Sequence, residues 1–149
     1  MTDTETLLND LVSFYGEGGI VPTRQQWKKI IENTHSGPIC MINFMKMREK
    51  ALYPDIVDTD LTGLEAVLRY FEVGHKKVLE VGGEFVVQGF HGGTVIGNEE
   101  DWDMVGIVRY SNRDAFVKLF TDPEYREGHR HRVAATLRHR MVMLLEAPI

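Results

Sequence analysis

Apolar positions recur along the chain with two periods, near 3.6 residues in some stretches and near 2 in others, and the switch between them marks out the elements. Leu7, Leu8, Leu11, Val12 and Tyr15 repeat at helical spacing. Thr2 and Glu5 stand ahead of them at the separation of a capping box, and Gly16-Glu17-Gly18-Gly19 ends the run. A second short helix starts at Thr23, with Gln26 three positions on and Trp27, Ile30 and Ile31 on one face, and closes at His35-Ser36-Gly37-Pro38. Ile39–Met47 reads as a strand. After a polar loop, Leu64, Val67, Leu68, Phe71, His75, Val78 and Leu79 mark one face of a long helix that stops at Gly82-Gly83. Glu84–Phe90 reads as strand, kinked at Gly92-Gly93 and resuming through Thr94–Ile96, and Trp102–Tyr110 as the next. Ser111 is placed to cap a helix that turns Ala115, Phe116, Leu119 and Phe120 inward. Asp122-Pro123 begins a further helical segment expected to run to about Leu137, and Met141–Glu146 is the last strand.

The resulting order from residue 39 onward is β-α-β-β-α-β, which predicts an α+β fold of ferredoxin-like type, an antiparallel four-stranded sheet with helices on one face. It also divides the chain into an N-terminal helical extension, 1–38, and a ferredoxin-like domain, 39–149. An open sheet face normally alternates apolar and polar residues. CMINFM, MVGIV and MVMLL are instead apolar at successive positions, so both faces of these strands are expected to be covered. The helices cover one. The other is expected to meet the sheet of a second copy, giving a homodimer; the alternative is that the N-terminal helices fold across it.

Composition narrows the class. A length of 149 residues suits one packed unit, and a net charge of −5 argues against a dedicated nucleic-acid binder. Cys40 is the single cysteine, which leaves no internal disulfide and no cysteine-rich zinc site. The start, MTDTETLLNDL, is acidic and unlike a signal peptide, and no apolar run approaches membrane-spanning length, so a cytoplasmic protein without membrane association is expected.

The stretches MINFMKM, EAVLRYF, GGEFVVQG, IGNEEDWDMVGIVRYSNRDAF and DPEYREGHRHRVAA follow one another in this order between residues 41 and 135. In order, spacing and turn residues the chain resembles the dimeric α+β barrel superfamily, and within it the domain-of-unknown-function family numbered 1330. The resemblance implies two ferredoxin-like halves closing a barrel around a pocket. It brings no agreed reaction and no catalytic set, and residues 1–38 lie outside it.

The densest candidate chemistry is EGHRHRVAATLRHR, residues 127–140. Its histidines lack the i, i+4 spacing of a helical metal pair, so no metal site is expected, and it lacks aromatics for stacking bases. Tyr125, His129, Arg132 and Thr136 form one polar stripe at helical spacing, while Val133, Ala134 and Leu137 form an apolar stripe expected to face the sheet. Arg126 and Arg130 fall near that apolar stripe, so at least one must snorkel or pair with an acid. Arg132, with His131 or His129 beside it, is the candidate catalytic group, its fork of donors suited to an anionic or carbonyl oxygen. The competing reading is a structural ion pair with Glu124 or a strand-end acid. Asn43 on an apolar strand, Tyr70 and Tyr125 are the candidate substrate-binding residues. His75, on the apolar stripe of the long helix, is either a satisfied core residue or a base.

These features predict a small-molecule pocket inside a dimeric barrel and no cofactor. The chemistry expected of it is a cofactor-independent oxygenation, isomerisation or lyase reaction. A non-catalytic ligand-binding or stress-related protein, or a module whose N-terminal helices dock a partner, are the alternatives.

Overall fold

The computed structural model describes residues 3–56 and 59–148. Its elements are α1 (Thr4–Tyr15), α2 (Arg24–Ile31), β1 (Ile39–Met47), α3 (Gly63–Glu80), β2 (Glu84–Phe90), β3 (Met104–Tyr110), α4 (Arg113–Thr121), α5 (Pro123–Ala135) and β4 (Thr136–Leu145). The four strands form one sheet in the order β2-β3-β1-β4, with β1 antiparallel to both β3 and β4 and β2 antiparallel to β3. This is the ferredoxin-like arrangement.

Local chemistry sets several boundaries. Thr23 and Thr62 each accept a hydrogen bond from the backbone N–H three residues on, while Gln26 and Glu65 reach back to the cap N–H, so α2 and α3 start with full capping boxes. The box expected at Thr2 lies outside the described residues, and α1 is preceded by Asp3, whose side chain makes no capping bond. Asn112, not Ser111, caps α4. Thr94–Ile96 does not resume a strand; it belongs to an exposed loop in which the Thr94 N–H donates to Glu99. At residue 136 the chain passes straight from α5 into β4, five residues before the strand was expected. Gly128 lets α5 approach α3, since a Cβ there would stand 3.1 Å from Val73.

The sheet has two unlike faces. Ile39, Met41, Met45 and Met47 of β1 point to the helices and are buried. The side chains between them, with their paired neighbours, bring Ile42, Phe44, Val105, Ile107 and Val142 to the opposite face, half-buried and outside the helix-packed core. The N-terminal helices do not cover that face. Leu8, Leu11, Tyr15 and Trp27 join Phe116, Phe120 and Tyr125 in the core on the helix side, and the Tyr15 hydroxyl donates to the Phe120 carbonyl at 2.8 Å. The extension thus folds tightly onto its own chain, which weakens the idea that it docks a partner.

Trp27 is fully buried, with its ring 5.1 Å from Phe120 and 6.2 Å from Phe116. Trp27→Ala should therefore lower stability by about 3–5 kcal/mol, read from urea unfolding, whereas a loss under about 1 kcal/mol would mean the extension contributes little to the fold.

Candidate functional site

The helix-facing side chains of the sheet do not close fully against the helices. A cavity of about 80 Å³ remains between them, lined mainly by Met, Phe, Tyr and Val side chains. It lies within one chain, on the helix side of the sheet. The cause is the side-chain alternation of β1, which turns Asn43 the same way as Met41 and Met45.

A chain of polar groups crosses this apolar wall. Arg132 of α5 is 4% exposed, and its Nη2 donates to the Ile20 carbonyl at 2.8 Å and to Nδ1 of His139. A guanidinium only donates, so Nδ1 of His139 is the acceptor and the ring proton sits on Nε2. That proton faces Oδ1 of Asn43 at 3.0 Å, and Nδ2 of Asn43 donates to the Met41 carbonyl at 3.3 Å. Burial first, and the Arg132 charge second, hold His139 neutral, well below its ordinary pKa.

Arg132 has no acid. Among the described residues no carboxylate lies within ion-pair distance of it, and its Nη1 is buried without a hydrogen-bond partner. Glu124, a suggested partner, pairs instead with Lys76 and Lys77 at 3.5 and 3.2 Å. A buried charge is normally paired, and an unpaired donor costs about 1–3 kcal/mol. Arg126 and Arg130, by contrast, both find acids, Asp10 at 2.6 Å and Asp55 at 2.7 Å.

Tyr70 and Tyr125 also line the cavity, their hydroxyls 2.6 Å apart, and burial pushes the Tyr125 phenol well above its ordinary pKa. His75 lines it from α3, its ring stacked on Phe71 at 4.7 Å and tilted against Phe85 at 4.4 Å. Its nitrogens make no hydrogen bond among the described residues, and burial lowers its pKa, so a neutral imidazole faces the cavity.

The two histidines beside Arg132 in sequence are elsewhere. His129 is buried against the Tyr15 ring at 4.8 Å, away from the cavity, and burial together with Arg132 lowers its pKa to about 3. His131 lies 2.7 Å from the Tyr53 hydroxyl on the outer side of α5, in a surface groove with Arg69, Glu72 and Lys76. The expected apolar stripe of α5 divides, since Ala134 is buried but its two companions turn outward. Tyr125, His129, Arg132 and Thr136 face inward, while Val133 and Leu137 are 42% and 49% exposed. The polar residues are drawn in because the cavity and the extension supply their surroundings. Sequence reasoning missed His139 as a site residue. Its only signal was register: it pairs with Met45, one step from Asn43 on the same side, which is visible only once β4 is known to begin at Thr136. Among the described residues no group of three His, Cys, Asp or Glu side chains could hold a metal ion, and no helix is long and apolar enough to cross a membrane.

A protein of unknown function from Rhodopseudomonas palustris is 35% identical to this chain, covers 89% of it and 100% of its own length, and superimposes with a TM-score of 0.80. The chain belongs to the family of that protein. A methylated form of the same relative gives 36% identity, 88% and 96% coverage and a TM-score of 0.80. Residues 39–149 alone could not supply that coverage, so the match to this relative takes in part of the N-terminal extension as well as the sheet. A dabb family protein with a ferredoxin-like fold from Mesorhizobium loti, 12% identical over 75% of this chain and 99% of its own, has a TM-score of 0.50 and supports the fold alone. No family model and no curated protein matches the chain.

The buried histidines have a measurable consequence. His129 and His139 stay neutral in the folded chain at pH values where unfolded histidine, with a pKa of about 6.5, takes up a proton. The unfolded state binds more protons, so their contribution to stability is lost as pH falls below about 6.5. Each should subtract about 1.4 kcal/mol per pH unit from there toward pH 5, read from urea midpoints. His129→Phe should flatten this slope; an unchanged slope would place the proton uptake at other groups.

Proposed function

We infer that the protein binds a small, partly apolar organic molecule in the cavity between sheet and helices, with an oxygen atom of that molecule at Arg132. The observation that carries this reading is the buried guanidinium without a carboxylate beside an apolar cavity. An anionic or strongly polarised oxygen is the group that satisfies such a fork of donors. Asn43, held by His139, and the Tyr70–Tyr125 pair add a fixed polar edge that orients the ligand. The small volume of the cavity, about 80 Å³, limits what lies wholly inside to a compact group.

The catalytic form of this reading is a cofactor-independent reaction of isomerase, lyase or oxygenase type. Arg132 stabilises developing negative charge on the ligand oxygen, a task best done by a preorganised donor in a dry site. His75 takes the proton-moving role for which His129 and His131 are badly placed, since its imidazole is neutral, unpartnered and at the cavity wall. A titratable group beside the pocket favours an enzyme over a carrier walled only by apolar side chains.

The same reading includes a homodimer and membership of the domain-of-unknown-function family numbered 1330. The face bearing Ile42, Phe44, Val105, Ile107 and Val142 supports the dimer, because nothing in the chain's own helical layer covers it and a second copy offers an identical apolar sheet.

Native mass spectrometry of freshly purified protein tests both parts at once. The expected mass is twice the 17.1 kDa of one chain plus one small molecule per chain, released on denaturation and absent from Arg132→Met. A ligand retained equally by Arg132→Met would overturn the assignment of Arg132, and a clean monomer would overturn the sheet-to-sheet dimer.

A further inference from the structure

A second cavity, of about 380 Å³, lies between the N-terminal extension and β4 and shares Met41, Arg132, His139 and Met141 with the first. We propose that this chamber is a binding site for a medium-chain aliphatic monocarboxylate, its carboxylate held by Arg132 and its chain lying under the extension. It draws on the guanidinium invoked above but is a separate site.

Each wall of the chamber points to that class of ligand. Ile20, Val21 and Ile30 of the extension form the roof, and Met41, Met141 and Met143 of the sheet form the facing wall. Methionine side chains are flexible and polarisable, and they fit an alkyl chain without demanding one shape. The volume is within the range of small-molecule sites.

At the inner end stand Arg132 and His139. Nη2 of Arg132 has both its hydrogens committed, one to Ile20 and one to His139, and Nη1 is buried without a partner, so the guanidinium carries a charge that no acid among the described residues answers. His139 has neither a spare donor nor a charge to offer, since Nδ1 accepts from Arg132 and Nε2 donates to Asn43. Lys29 stands at the rim, exposed and without an ion pair among the described residues, where it attracts an anion. No Asp or Glu lines the chamber. A neutral chain of the same length would leave the guanidinium charge unanswered, and a dication would be repelled by it.

The site also accounts for the extension. Its Ile20 carbonyl fixes Arg132 from above while its apolar residues roof the space beside it. The R. palustris relative shares part of this segment, as its coverage requires.

Isothermal titration of the full chain with sodium hexanoate and with hexanamide tests the proposal. Hexanoate should bind, hexanamide at least tenfold more weakly. Ile30→Trp, which fills the chamber, should abolish hexanoate binding, and Lys29→Glu at the exposed rim, which cannot disturb the core, should weaken it severalfold without altering the amide. Val108→Phe, which fills only the central cavity, should leave hexanoate binding intact. Equal binding of acid and amide, or binding of neither, overturns the proposal. Loss in Val108→Phe with retention in Ile30→Trp also overturns it, and returns the acid to the central cavity, so that the function proposed above survives. Retention in both places the acid on the surface and overturns it too.

Discussion

The structure turns on one buried guanidinium. Arg132 sits where the helical layer, the last strand and the N-terminal extension meet, donating to the Ile20 carbonyl on one side and to His139 on the other. Through His139 it fixes Asn43, and through Asn43 the backbone of β1. Three parts of the chain that are distant in sequence are thereby held in register by a single side chain that only donates. Because the donor cannot accept, the direction of every later bond follows, down to which nitrogen of His139 carries its proton.

That arrangement leaves a charge in an apolar interior without a counter-charge. Other arginines are answered by acids, as Arg126 by Asp10 and Arg109 by Glu146. Arg132 lines two cavities, which is where a ligand oxygen would complete the set. The surrounding phenols and imidazoles are neutral for the same physical reason: burial disfavours the charged form of Tyr125 and of His75 alike, and at His139 the guanidinium adds to that penalty.

Much of the fold was legible because it rests on periodicity. The helix over Gly63–Glu80, the strand Ile39–Met47 and the β-α-β-β-α-β order follow from apolar spacing and capping residues, and the apolar succession in CMINFM correctly announced a strand with no polar face. The candidate site was legible only in part. Arg132, Asn43, Tyr70 and Tyr125 could be singled out as polar groups on apolar elements, and the structure brings them to one cavity. His139 and the true direction of the α5 stripe could not. Thr136-Leu137-Arg138 carries no breaker between helix and strand, so the helical phase continues in the sequence and predicts Val133 and Leu137 to face inward. The contact of Ile20 with Arg132 spans 112 positions and has no local signal at all.

The most direct test of the central interaction is the ionisation of His139 itself. Nitrogen NMR of the ring should show a neutral imidazole with its proton on Nε2 and an unprotonated, hydrogen-bonded Nδ1, unchanged from pH 8 down to pH 5. An imidazolium at pH 6, or a proton on Nδ1, would contradict it, because neither form can accept from Arg132.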